Sequence, residues 1–159
     1  MKKRLAFICL FLCLAWTVFI FARSAKSVSE SLEESGAVLE ILSRILSFLG
    51  IQNMPSEHMI RKLGHFTEYA VLALPAFFAA KLLPTRFSHV CAFGYCAAVA
   101  CFDEFLVQNL SVGRGPSIFD VAIDSAGAAV VVLVLAVWCG LRKRVGRRPT
   151  PRKFLKKLD

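Results

Sequence analysis

Charge sits where a chain this apolar should not carry it. Arg61, Lys62, His65, Glu68, Asp103, Glu104, Arg114, Asp120 and Asp124 all lie at or near the ends of long apolar segments. Each ionised side chain held in hydrocarbon costs roughly 2.5–3.5 kcal/mol on insertion scales. So many of them, in three segments, point to a polar site built into a membrane protein. Composition agrees: 57% of the residues are hydrophobic and the mean hydropathy is +0.61. A soluble domain is usually about 45–50% apolar. Inside a bilayer the backbone must satisfy its own hydrogen bonds, so an all-α integral membrane bundle is expected.

Four runs are long enough to span, at about residues 5–22, 60–83, 87–108 and 118–141. Small residues at Ala22-Arg23-Ser24 resemble a signal-peptide cleavage point. The first run is nevertheless long enough to stay as an uncleaved anchor. Residues 23–35 are Ser- and Glu-rich and are expected outside the bilayer. Over 36–50 the apolar positions Val38, Leu39, Ile41, Leu42, Ile45, Leu46, Phe48 and Leu49 alternate with Glu40, Ser43, Arg44 and Ser47 at helical period. That predicts an extracytoplasmic amphipathic helix on the membrane surface, capped by Gly50. Pro75 falls inside the second span and Pro84 ends it.

Lys2, Lys3 and Arg4, then Lys81 and Arg86, then the tail, share one side of a four-span bundle. Residues 142–157 alone hold nine Lys or Arg and no acid. The positive side is cytoplasmic, which predicts a multi-pass cell-membrane protein with both termini inside. The organisation is a membrane domain, 1–141, followed by a basic cytoplasmic tail, 142–159. The tail reads as a partner of anionic lipids; with Phe154 its one aromatic, it gives no nucleic-acid signal. Cys9, Cys13, Cys91, Cys96, Cys101 and Cys139 form no CxxC pair and read as small packing residues.

With that topology, Glu68, Asp103, Glu104 and Asp124 come from three helices to one depth, roughly 6–12 Å below the outer surface at about 1.5 Å per residue. Arg61, His65 and Glu68 share one helix face, as do Lys62, His65 and Tyr69; Glu104 with Gln108, and Asp120 with Asp124, are four apart. Gly113-Arg114-Gly115-Pro116 is a tight outer turn that carries Arg114 over the cluster. Five carboxylates face three cations there, so protons, a charged His65 or a bound cation must close the balance. No cofactor is expected. A divalent cation is the one candidate, and no tight metal spacing such as HExxH supports it.

These residues, in this order, resemble the VanZ-like family of bacterial membrane proteins. The resemblance rests on Arg61-Lys62-Leu63-Gly64-His65-Phe66-Thr67-Glu68-Tyr69, Asp103-Glu104-Phe105, Gly113-Arg114-Gly115-Pro116-Ser117-Ile118-Phe119-Asp120-Val121 and Ile123-Asp124-Ser125-Ala126-Gly127. The family pattern has Gln four residues after the Asp of its Asp-Glu pair, and Pro before Gly-Arg. Here Gln108 lies five after Asp103 and Val112 precedes Gly113, so an extra residue sits within 105–112. The resemblance implies an association with low-level teicoplanin resistance, without an assigned activity.

Three functions stay open on the sequence. A binding or antibiotic-tolerance protein would use Arg61, Lys62, Tyr69, Gln108 and Arg114 to grip a lipid-linked envelope precursor, with membrane lipids as its other partners. A membrane enzyme would draw acid–base groups from His65, Glu68, Asp103, Glu104, Asp120 and Asp124. A purely structural ion-pair network would bind nothing. A transporter fits less well, because its site would lie at mid-depth between repeats.

Overall fold

The structure, a computed structural model, describes residues 2–48, 55–82, 87–110 and 115–145. Among these residues the chain is helical, with α1 at Lys2–Ser24, α2 at Val28–Phe48, α3 at Glu57–Leu82, α4 at Ser88–Phe102 and α5 at Ile118–Val145. A π-helical turn, Asp103–Val107, and a 3-10 turn, Gln108–Leu110, prolong α4. Four helical stretches are long and apolar enough to cross a membrane: Lys3–Ser24, Glu57–Leu82, Ser88–Leu110 and Ile118–Arg142. They match the four expected spans to within three residues at each end.

α3 is the centre of the bundle and packs against α1, α2, α4 and α5. Its Tyr69, Leu72, Ala73, Ala76, Phe77 and Ala80 meet Ala92, Cys96 and Ala100 of α4 and Ala128 and Val132 of α5. Cys13 and Ile20 of α1 close the same core. Small side chains let the backbones approach, which is how helices associate where lipid removes the usual hydrophobic drive. The tightest approach is α5 on α3. A Cβ at Gly127 would collide with the main chain of Phe66, beginning with its carbonyl oxygen. Phe66 adjoins His65, and Gly127 lies one turn past Asp124, so this contact sets the site's spacing. On the outside, Phe7, Phe11, Leu133, Val134 and Val137 are exposed, as lipid-facing side chains should be.

Pro75 lies in the interior of α3, and the helix runs through it. Cys96 is buried while Cys91 and Cys101 are exposed, and the six cysteines are all unbridged, in keeping with packing roles.

One boundary needs correction. The amphipathic helix begins at Val28, not at residue 36. Ser27 is the reason. Its side chain accepts from the Glu30 backbone N–H (3.3 Å), and the Glu30 carboxylate accepts from the Ser27 backbone N–H (2.9 Å) and hydroxyl (2.9 Å). This reciprocal pair is a capping box, and it starts a helix in a polar stretch that has no apolar period. Further along, Val38, Ile41, Ile45 and Phe48 form an exposed apolar stripe. Arg44 pairs with Glu40 on the polar face at 2.8 Å, so the expected amphipathicity holds. Gly50, Pro84, Arg86, Val112, Gly113, Arg114 and the tail beyond Val145 lie outside the described residues.

Candidate functional site

The end of α1, the first turns of α3, the π turn after α4 and the first turns of α5 come together at one end of the bundle. Asp103 (0% exposed), Glu104 (1%) and Asp124 (1%) are as buried as the apolar core, and Gln108 is buried with them. In hydrocarbon such groups require donors or counter-charges.

Asp103 is met from two directions. The Ser24 hydroxyl donates to its Oδ2 at 2.7 Å, and the Gln108 amide donates to the same oxygen at 3.2 Å. Gln108 also donates to Glu104 Oε2 at 2.6 Å. The π turn makes this convergence. The Gln108 backbone N–H bonds the Asp103 carbonyl, five residues back. Widening the turn by one residue places Gln108, five residues after Asp103, on the face of the two acids. π turns of this kind recur at functional sites.

The start of α5 supplies the other oxygen of Glu104. Ser117 caps this helix, its hydroxyl accepting from the Asp120 backbone N–H at 3.3 Å. In a capping box Asp120 would accept from the Ser117 N–H in return. Here that N–H donates to Glu104 Oε1 at 2.8 Å. Glu104 therefore sits at the positive end of the α5 dipole, and Asp120 is left to pair with Lys62 of α3 at 3.1 Å.

Glu68 is 12% exposed at its side chain and pairs with Arg23 Nε at 2.9 Å. Arg23 also reaches Glu34 of α2 at 3.4 Å, and Lys26 pairs with the other Glu34 oxygen. The Trp16 indole donates to the Glu68 carbonyl at 2.9 Å. Outside the spans, the Lys26 hydrogen bond holds the Glu34 carboxyl below the usual carboxylate range. The Ser27 backbone N–H does the same for Glu30.

Asp124 differs from the rest. Neither of its carboxylate oxygens has a hydrogen-bond partner. One ligand atom each from His65, Asp103 and Asp124 lie within 4.8 Å of one another. Arg61 makes no ion pair among the described residues. It lines two cavities. One, of about 10 Å³, is bounded by Arg61, Lys62, His65, Gln108, Asp120, Ile123 and Asp124. The other is a groove of about 730 Å³ between α1, α2 and α3, with Trp16, Phe19, Val38, Leu63 and Val71 as its apolar surface and Arg23, Glu34, Arg61, His65 and Glu68 as its polar rim.

Every described residue singled out in the sequence therefore falls at this end: Arg61, Lys62, His65, Glu68, Tyr69, Asp103, Glu104, Gln108, Asp120 and Asp124. Tyr69 is fully buried within it. Arg114 lies outside the described residues. Sequence reasoning missed Trp16, Arg23, Ser24, Glu34 and Ser117. The signal for Arg23 and Ser24 was their place, immediately after the first apolar run at the expected outer surface. For Ser117 it was the S-x-x-D spacing at a helix start.

A bundle of four candidate spans with a hydrogen-bonded polar core at one end defines a multi-pass α-helical membrane protein. Residues 7–139 match the family model described as VanZ/LLP1, and the chain belongs to that family. No curated protein and no solved structure matches it.

Proposed function

We propose that this VanZ-family protein binds the anionic headgroup of a lipid-linked cell-envelope component in the groove between α1, α2 and α3. The observation that carries the reading is Arg61, a cation without an acidic partner among the described residues, at the polar rim of a groove with an apolar floor. The other arginine of the rim, Arg23, is engaged with Glu68 and Glu34. A phosphate seated against Arg61 would gain a charge-assisted bond, while its lipid tail lies on Trp16, Phe19 and Val71. The basic runs support a placement of this end on the outer face, with both termini in the cytoplasm. There the exposed apolar stripe of α2 can rest in the headgroup layer. Sequestering or presenting an envelope precursor on that face is the route by which such a protein would lower susceptibility to teicoplanin.

Trp16 lines the groove and reports on it. In nanodiscs, a polyprenyl phosphate should shift Trp16 fluorescence at concentrations at least tenfold below those needed of the uncharged polyprenol, and Arg61→Ala should abolish that preference. Equal response to phosphate and alcohol would overturn the headgroup reading. Release of inorganic phosphate during the titration would replace binding with hydrolysis. In cells, teicoplanin susceptibility should differ between wild type and Arg61→Ala at equal expression.

A further inference from the structure

The groove leaves Asp124 unexplained. It lies in the smaller cavity, not in the groove. It is 1% exposed, and neither oxygen receives a hydrogen bond. Two of the donors that line that cavity are committed elsewhere: Lys62 pairs with Asp120, and Gln108 donates to Asp103 and Glu104. Burying a carboxylate without donors is costly unless something else in the site meets it.

We propose that His65, Asp103 and Asp124 form a binding site for a divalent transition-metal cation at the buried end of the bundle. Three observations carry this independently. The donor atoms are already gathered, one from each residue within 4.8 Å of the others. Small rotations would close them on an ion at the roughly 2.0–2.2 Å typical of nitrogen and carboxylate ligands. They come from three helices, α3, the π turn after α4, and α5, so the packing of the bundle holds them in place. Finally, the adjoining cavity of about 10 Å³ is lined by His65 and Asp124, and Ile123 is the one apolar residue among those that bound it. A space of that size holds about one water-sized particle.

Charge and ligand type narrow the ion. Two carboxylates and a neutral imidazole balance a divalent cation. A mixed nitrogen and oxygen set suits manganese, iron, cobalt or zinc better than magnesium or calcium, which take all-oxygen shells. Asp103 is oriented by Ser24 and Gln108, the outer hydrogen bonds that fix a metal ligand. His65 and Arg61 line both cavities, so an ion here would stand beside the headgroup site. That role rests on the headgroup reading, whereas the metal site itself does not.

Manganese tests it. Full-length protein in nanodiscs, stripped of metal and titrated with Mn²⁺, should bind one ion per chain by electron paramagnetic resonance. The bound ion should show nitrogen coupling from an imidazole. His65→Gln should remove the coupling, and Asp124→Asn should weaken binding at least tenfold. Glu40→Gln, on the exposed face of α2, should change neither. Wild-type protein that binds no Mn²⁺ would overturn the site, as would nitrogen coupling that survives His65→Gln. If Asp124→Asn does not fold, the wild-type and His65→Gln spectra still decide. A preference for polyprenyl phosphate without bound Mn²⁺ would remove the metal and leave the headgroup reading standing. Bound Mn²⁺ without that preference would do the reverse.

Discussion

The two halves of α3 solve different problems with one helix. From Leu72 to Ala80 the buried face is Leu72, Ala73, Ala76, Phe77 and Ala80, packed on Ala92, Cys96 and Ala100. From Arg61 to Tyr69 the helix carries Arg61, Lys62, His65 and Glu68, and its neighbours bury Asp103, Glu104 and Asp124. In the apolar half contacts are many and interchangeable, so volume-conserving swaps should cost less than about 1.5 kcal/mol. In the polar half Arg23, Ser24, Lys62, Gln108 and Ser117 each have a named acceptor, and removing one strands another. The apolar half holds the bundle together; the polar half can be tuned, and it is where a ligand has something to meet.

The closest approach of α5 to the polar half should be the most fragile place. Gly127 has the Phe66 backbone in the position of its missing Cβ, and a backbone cannot swing aside as a side chain can. Gly127→Val must push α5 off α3 and widen the His65–Asp124 gap along with it. We expect a loss of about 3 kcal/mol or more, seen as lost folded protein on size exclusion. Near-normal melting of Gly127→Val would show that the helices slide freely, and the site's geometry would not depend on this contact.

A smaller effect sharpens the contrast within the polar end. Arg23→Ala leaves Glu68, 12% exposed, without its cation. The full penalty for breaking a buried pair does not apply, because Arg23 is 45% exposed. About 1–2 kcal/mol is expected by thermal melting. Glu68→Gln in the same chain should recover part of it, since the stranded charge is then gone. If the double variant melts no higher than Arg23→Ala, the pair is not what Arg23 contributes.

How much of this was legible follows the same division. The spans were, because hydropathy over some twenty residues reports the bilayer directly. The gathering of His65, Glu68, Asp103, Glu104, Asp120 and Asp124 was also legible, since depth follows from topology and rise per residue. The partners were not. Arg23 and Ser24 stand at the mouth of a helix with no polar periodicity, so no pattern tied them to Glu68 and Asp103. The capping box of Ser27 and Glu30 was present in the letters but hidden by the Ser- and Glu-rich composition around it. The five-residue spacing of Asp103 and Gln108 was visible as a count. Only the π turn shows that it brings Gln108 onto both acids rather than away from them.

The smallest effect lies where the polar end leaves the spans. Glu34 of α2 accepts from Lys26 and faces Arg23, and the hydrogen bond to Lys26 lowers its carboxyl from the ordinary 4.5. A carboxyl lowered on folding stabilises the docked arrangement at every pH above its unfolded value and loses that contribution as pH falls through the folded one. The loss therefore belongs below about pH 4.5, with neutral pH unaffected. Because Glu34 is 41% exposed, solvent screening keeps the effect small and salt-sensitive. Hydrogen exchange should show the first turns of α2 opening faster at pH 3.5 than at pH 6, while α3 and α5 stay protected. Glu34→Gln should flatten the difference between the two pH values. If α2 opens equally at both pH values in the wild type, it is held to α3 by Leu39 and Leu42 on its half-buried side, and the ion pairs at its start are incidental to docking.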